Sequence, residues 1–129
     1  MAPIKVLLLT ALSLVSESLA VRLLGTHFSG PIFTYDLKLT GETAGSLSIS
    51  SNTTSGAVTP TWIVFDQDTR NFYVIDESWQ GSGVLTQWSL DRKPGSAPKL
   101  VASAKTTGNS VHATLFGGKD GKGFIATTE

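Results

Sequence analysis

The sequence repeats itself. Ile32, Phe33, Thr34, Tyr35, Asp36 and Leu37 line up with Leu85, Thr86, Gln87, Trp88, Ser89 and Leu90, Leu47 with Leu100, and Thr53-Thr54 with Thr106-Thr107, all at an offset of 53. Phe65 then matches Phe116 at an offset of 51, and residues 72–77 match 124–129 at 52, so that Glu77 recurs as Glu129. A period of this length restricts the chain to architectures in which one supersecondary unit is laid down again and again. The repeating segments are short and rich in aromatic and β-branched residues, and they alternate with turn residues, so the unit is built of strands.

Residues 60–77, PTWIVFDQDTRNFYVIDE, contain the clearest pair. Two apolar runs, 61–65 and 72–76, flank a polar turn and are too short for helices, which predicts an antiparallel hairpin. Neither run alternates cleanly between apolar and polar, as expected of strands covered on both faces. Further strands are predicted over 21–27, 32–39, 45–51, 84–90, 99–105, 110–116 and 123–128, with no helix of credible length after the first twenty residues. The fold class is therefore all-β. A unit of about fifty residues carrying four antiparallel strands is the size of a β-propeller blade. Residues 60–77 would form the inner half of one blade, with 84–90 and 99–105 as its outer strands.

Residues 1–20, MAPIKVLLLTALSLVSESLA, place Lys5 ahead of an apolar run and end in the small residues Ser18 and Ala20. That order describes a secretory signal peptide cut after Ala20. The run is too short to span a bilayer. This predicts a secreted chain beginning at Val21, with no membrane association once the leader is removed, and a propeller portion over 21–129. Ten basic residues balance ten acidic ones, so no charged face advertises a nucleic-acid partner. Cysteine is absent, which excludes disulfides, thiolate metal sites and a cysteine nucleophile. Two histidines are a thin supply for a metal centre, and no metal or other cofactor is expected.

The stretches LLGTHFSGPIFTYDL (23–37), PTWIVFDQDTRNFYVIDE (60–77) and GSGVLTQWSLD (81–91) resemble the seven-bladed lactonase propellers, which include 6-phosphogluconolactonase-like proteins and fungal carboxy-cis,cis-muconate cyclases. They are similar to that family's glycine-threonine turn and I-x-x-Y-D-L strand, its P-S-W-L-A-L-x-P-D-x-x-x-L-Y-x-V-x-E hairpin and the strand that follows. The turn 66–69 lacks the family's proline-aspartate pair, and 109–111 lacks its usual proline. The resemblance implies a metal-independent lactonase (a carboxylic ester hydrolase) or a muconate cycloisomerase, acting on a small lactone or its open sugar acid. It also implies that only about two of the seven blades are present and that the ring is incomplete. Bare blade faces and unpaired edges then invite self-association. A non-catalytic sugar- or protein-binding propeller and a nonfunctional truncated product are the alternatives.

Opening or closing a lactone needs groups that move a proton and stabilise an oxyanion. In a propeller the inner strands line the central channel, which selects His27, Glu77, His112 and Glu129. The resemblance places histidine, arginine and glutamate in that channel, mostly from later blades. Each candidate has a structural alternative: a solvated turn for His27, an acid accepting backbone hydrogen bonds at a strand end for Glu77, and a satisfied strand histidine for His112. Trp62 and Trp88 lie within strands and are expected in the core, leaving Trp79 as the exposed stacking candidate for a sugar. The glycines of 81–83 and 117–123 suit hairpin turns better than a phosphate loop, because no helix follows. Asn52-Thr53-Thr54 is an N-glycosylation sequon expected on a loop.

Overall fold

A computed structural model describes residues 20–40, 42–79, 81–117 and 123–128. The leader therefore lies outside the described residues except for Ala20, which opens the first strand. Glu129 and residues 118–122 also fall outside them.

Every described element is a strand. In chain order they are β1 (Ala20–Thr26), β2 (Pro31–Leu39), β3 (Gly45–Thr54), β4 (Pro60–Phe65), β5 (Asn71–Asp76), β6 (Val84–Ser89), β7 (Lys99–Lys105), β8 (His112–Gly117) and β9 (Gly123–Thr128). They form three antiparallel sheets, ordered β1-β2-β3, β4-β5-β6-β7 and β8-β9. Each strand pairs with its neighbour in sequence, as short turns between short apolar runs dictate. Among the described residues no helix is long and apolar enough to cross a membrane.

The β4–β5 turn shows how the sequence closes such a hairpin. The Asp66 carboxylate accepts hydrogen bonds from the amides of Asp68 (3.0 Å) and Thr69 (3.4 Å) and from the Thr69 hydroxyl (2.6 Å). The Thr69 hydroxyl is the main reason the Asp66 carboxyl is held below the usual carboxylate range. Arg70 then takes a left-handed conformation, φ 57°, and the Asp66 amide closes on the Asn71 carbonyl at 2.8 Å.

The core lies between the first two sheets. Ile32 from β2 packs with Phe72, Val74 and Trp88 from the second sheet and with Leu90 just beyond β6, and Leu24 and Ile63 flank the cluster. Trp88 stacks on Phe72, with ring centroids 6.3 Å apart, and donates its indole N–H to the Thr86 hydroxyl at 2.9 Å. The buried indole thus keeps a partner. Arg22 ties the two sheets at their rim, donating to the carbonyls of Asp91 (3.2 Å) and Lys93 (2.9 Å) while its Nε lies 3.5 Å from the Asp36 carboxylate.

Two expectations need correction. The double covering predicted for the hairpin holds for β5, where Val74, Ile75 and Asp76 are buried in succession, but not for β4. Trp62, expected in the core, is 38% exposed. The repeat alignment of the outer strands also shifts. A bulge interrupts pairing between Thr34 and Tyr35, so Tyr35 lies opposite Ile49. A second bulge sits between Gln87 and Trp88, so Trp88 lies opposite Leu100. Since Tyr35 and Trp88 are counterparts, the residue equivalent to Leu100 is Ile49, not Leu47. Likewise Thr53 answers to Ala104 and not to Thr106.

Candidate functional site

One end of the sheets carries all of the described sequence candidates except Asn52. β1 and β5 run toward this end and stop there, while β4 and β8 start from it. His27 follows β1, Glu77 follows β5, and His112 opens β8 opposite Thr128.

The loops of this end are knit around the carboxylate that precedes the candidate Glu77. Asp76, 3% exposed, closes β5. Its Oδ1 accepts from the Thr59 amide (2.8 Å), the Thr59 hydroxyl (3.0 Å) and the Ser78 amide (3.2 Å), and its Oδ2 from the Val58 amide (3.2 Å). A buried carboxylate needs such a set of donors. The role expected of Glu77, holding the following turn by accepting backbone hydrogen bonds, therefore belongs to its neighbour. Glu77 takes part through its main chain: its amide donates to Thr59 O at 3.0 Å, and its carbonyl accepts from Asn109 N at 2.5 Å. The only sequence signal for this was the adjacent pair Asp76-Glu77.

The loop carrying Asn109 fits closely against the segment that leaves β5. Gly108 has φ +95°, and a side chain there would strike the carbonyls of Gly81 and Ser78. Gly83 faces Asp76 O and the Thr106 hydroxyl in the same way. Close by in sequence, the buried hydroxyls of Thr61, Thr106 and Ser110 have no hydrogen-bond partner among the described residues.

The three catalytic candidates are not brought into contact. No hydrogen bond or ion pair joins any two of His27, Glu77 and His112 among the described residues. His27 is exposed and serves its own turn: Ser29 N donates to its Nδ1 at 3.2 Å, and the Ser29 hydroxyl lies 2.8 Å from the same nitrogen. One ring nitrogen is thereby engaged by the turn. His112 is exposed, and its ring lies against Trp62 of the second sheet with centroids 4.5 Å apart. This inter-sheet contact explains why Trp62 sits at the surface of its own sheet. His112 presents an imidazole able to accept or donate a proton beside an aromatic face, with no carboxylate bonded to orient it among the described residues.

Trp79 is 67% exposed on the segment after β5. Asn52 is exposed but lies within β3, where it pairs with Phe33, and not on a loop. Among the described residues no group of three histidine or acidic side chains is arranged to hold a metal ion. At the opposite end of β5, a cavity of about 690 Å³ opens between the second and third sheets. Asp66, Asp68, Asn71, Tyr73 and Gln87 face Phe116 and Phe124 across it.

Comparison with known proteins adds one finding. Residues 23–128 match the family described as Lactonase, 7-bladed beta-propeller. No curated protein and no solved structure matches the chain.

Proposed function

The chain belongs to the lactonase seven-bladed β-propeller family, and from that premise we propose that it is part of a secreted propeller acting on a small lactone or its open acid. The four-stranded sheet β4–β7 is one blade in this reading, and the sheets on either side of it are parts of two more. The family match over 23–128 is the observation that carries the proposal. In this reading His112 is the group that moves a proton, beside Trp62, and Glu77, on the segment that leaves β5, is the candidate acid. Water activated by an imidazole would attack the lactone carbonyl, and the same group would return the proton to the leaving alkoxide.

The test is ring opening of an aldonolactone by the purified chain, followed in weak buffer with a pH indicator. The expected outcome is a rate above the buffer reaction that falls about 100-fold in His112→Ala, the scale of general acid–base catalysis. Neither lactone opening nor cyclisation of a carboxymuconate would leave the catalytic reading without support. A second reading, a sugar-binding surface without catalysis, is favoured by the exposed aromatics Trp62 and Trp79 at this same end. It predicts saturable sugar binding that survives His112→Ala and Glu77→Ala and weakens in Trp79→Ala.

A further inference from the structure

β3 and β7 hold the same place in the repeat, and the chain guards them differently. Each is the last strand of its sheet, and after each the chain crosses to the next sheet, so both leave an outer edge without a ladder partner among the described residues. An open edge invites pairing with another molecule, and lysine is a common means of preventing it. β7, KLVASAK, begins and ends with the exposed lysines Lys99 and Lys105. By register their counterparts in β3 are Ser48 and Thr54. β3, GSLSISSNTT, carries no charged residue at all, and its Leu47 and Ile49 are 59% and 61% exposed. What it carries instead, at the Lys105 end, is the sequon Asn52-Thr53-Thr54, with Asn52 exposed.

The exposure of Asn52 belongs to its position in the sheet. Asn52 lies opposite Phe33, whose counterpart is Thr86, and Thr86 lies opposite Ser103. The Thr86 hydroxyl accepts the indole N–H of Trp88, on the face that meets Ile32 of the first sheet. Directly opposed residues share a face, so Ser103 points toward the first sheet as well. Ser103 is exposed all the same. A neighbouring sheet that extends to its outer strand thus leaves this position in solvent, and the exposure of Asn52 does not depend on what lies on the far side of the first sheet.

We propose that Asn52 carries an N-linked glycan, which takes the place of the β7 lysines and keeps the β3 edge from pairing with other molecules. This rests on the secretion proposed above, since the donor is an oligosaccharide joined through pyrophosphate to a lipid of the secretory compartment. Nδ2 of Asn52 bonds to the anomeric carbon of that sugar, the bond from this carbon to the pyrophosphate oxygen breaks, the amide gives up one proton, and the lipid pyrophosphate leaves. Thr54 supplies the hydroxyl that the sequon requires. Transfer takes place as the chain enters the compartment, before β2 and β3 pair, so a place within a strand is no obstacle. After folding, a bulky and soluble group stands at an exposed position of the same strand that exposes Leu47 and Ile49.

The test is expression of the full 129-residue chain in a eukaryotic secretory host and recovery from the medium. The expected product is a heavier species that peptide N-glycosidase returns to the mass of the bare polypeptide, with Asn52 identified as the site by peptide mass spectrometry. Asn52→Gln and Thr54→Ala should abolish the heavier species, and Thr54→Ser should retain part of it. Enzymatic removal of the glycan from the folded protein should bring on self-association at a several-fold lower concentration, followed by light scattering. Adding Ile49→Lys to Asn52→Gln should reverse that loss. So that a failed leader is not read as a failed site, the same chain is also delivered behind an established leader placed ahead of Met1. Recovery of the secreted chain with Asn52 unmodified, by either route, would overturn the site. Equal association of the glycosylated and deglycosylated forms would overturn the role at the edge. Glycosylation behind the established leader, with retention in the cytoplasm behind the chain's own, would instead refute the secretion on which the site depends. None of these readouts involves lactone turnover, so loss of the catalytic reading would leave this one standing.

Discussion

Asp76 is the residue on which the candidate end depends most. Its carboxylate takes four hydrogen bonds, three of them from the amides of Val58, Thr59 and Ser78. Removing it leaves the Val58 and Thr59 amides in a partly buried loop without this acceptor, and a hydrogen bond to a charged acceptor contributes about 1.5–3 kcal/mol net of exchange with water. Asp76→Ala should therefore destabilise the protein by about 3 kcal/mol, read as a lower midpoint in urea unfolding with unchanged slope. Glu77→Ala should cost under about 0.5 kcal/mol, because Glu77 contributes main-chain bonds that alanine keeps. The sequence placed an acid at the end of this strand but could not say which of two neighbours faced inward. β5 is covered on both faces, so alternation alone does not choose between them, and the hydrogen bonds from Val58, Thr59 and Ser78 single out Asp76. The same limit applies to His27, whose commitment to Ser29 depends on a turn conformation that composition does not reveal.

At the level of strands, much more was legible. β7 and β9 coincide with the predicted runs, and the other strands differ at their ends by a few residues, because apolar β-branched runs between glycine, proline and polar turns leave few alternatives. Register was not legible. The bulges fall at equivalent places in the two sheets and cancel; the offset of 53 that holds for β2 and β6 becomes 51 across β3 and β7 because the hairpin connection is two residues shorter between Ser89 and its partner Lys99 than between their counterparts Asp36 and Ser48. Turn glycines give a second case in which identity is readable and consequence is not. Gly56 and Gly108 both have positive φ, 77° and 95°. An alanine at Gly56 meets nothing within 4 Å, while at Gly108 it meets the carbonyls of Gly81 and Ser78. Gly56→Ala should cost about 1 kcal/mol, the price of a left-handed backbone alone. Gly108→Ala should cost at least about 1.5 kcal/mol more, since the loop that holds Asn109 against Glu77 must shift. Thermal unfolding of the two variants side by side separates backbone strain from collision.

For the molecule as a whole, the repeat makes the three sheets alike in sequence, and packing makes them unlike in stability. The first two sheets share a closed core of Ile32, Phe72, Val74, Trp88 and Leu90, reinforced by Arg22 at the rim. The third touches the second through β4 and β8 and through the Trp62–His112 contact, with its two phenylalanines largely in solvent. Equivalent substitutions should therefore have unequal effects. Truncating a fully buried aromatic loses its transfer free energy and leaves a cavity, so Phe72→Ala should cost about 3–5 kcal/mol. Phe124→Ala removes a ring that is 64% exposed and leaves no enclosed void, so it should cost under about 1 kcal/mol. Urea unfolding followed by the fluorescence of the buried Trp88 measures both on one scale. Equal losses would mean that the β8–β9 hairpin is buried as deeply as its counterpart. Unequal losses would mean that what the repeat shares is a strand pattern, and that stability comes from the second neighbouring strand that β5, unlike β9, has among the described residues.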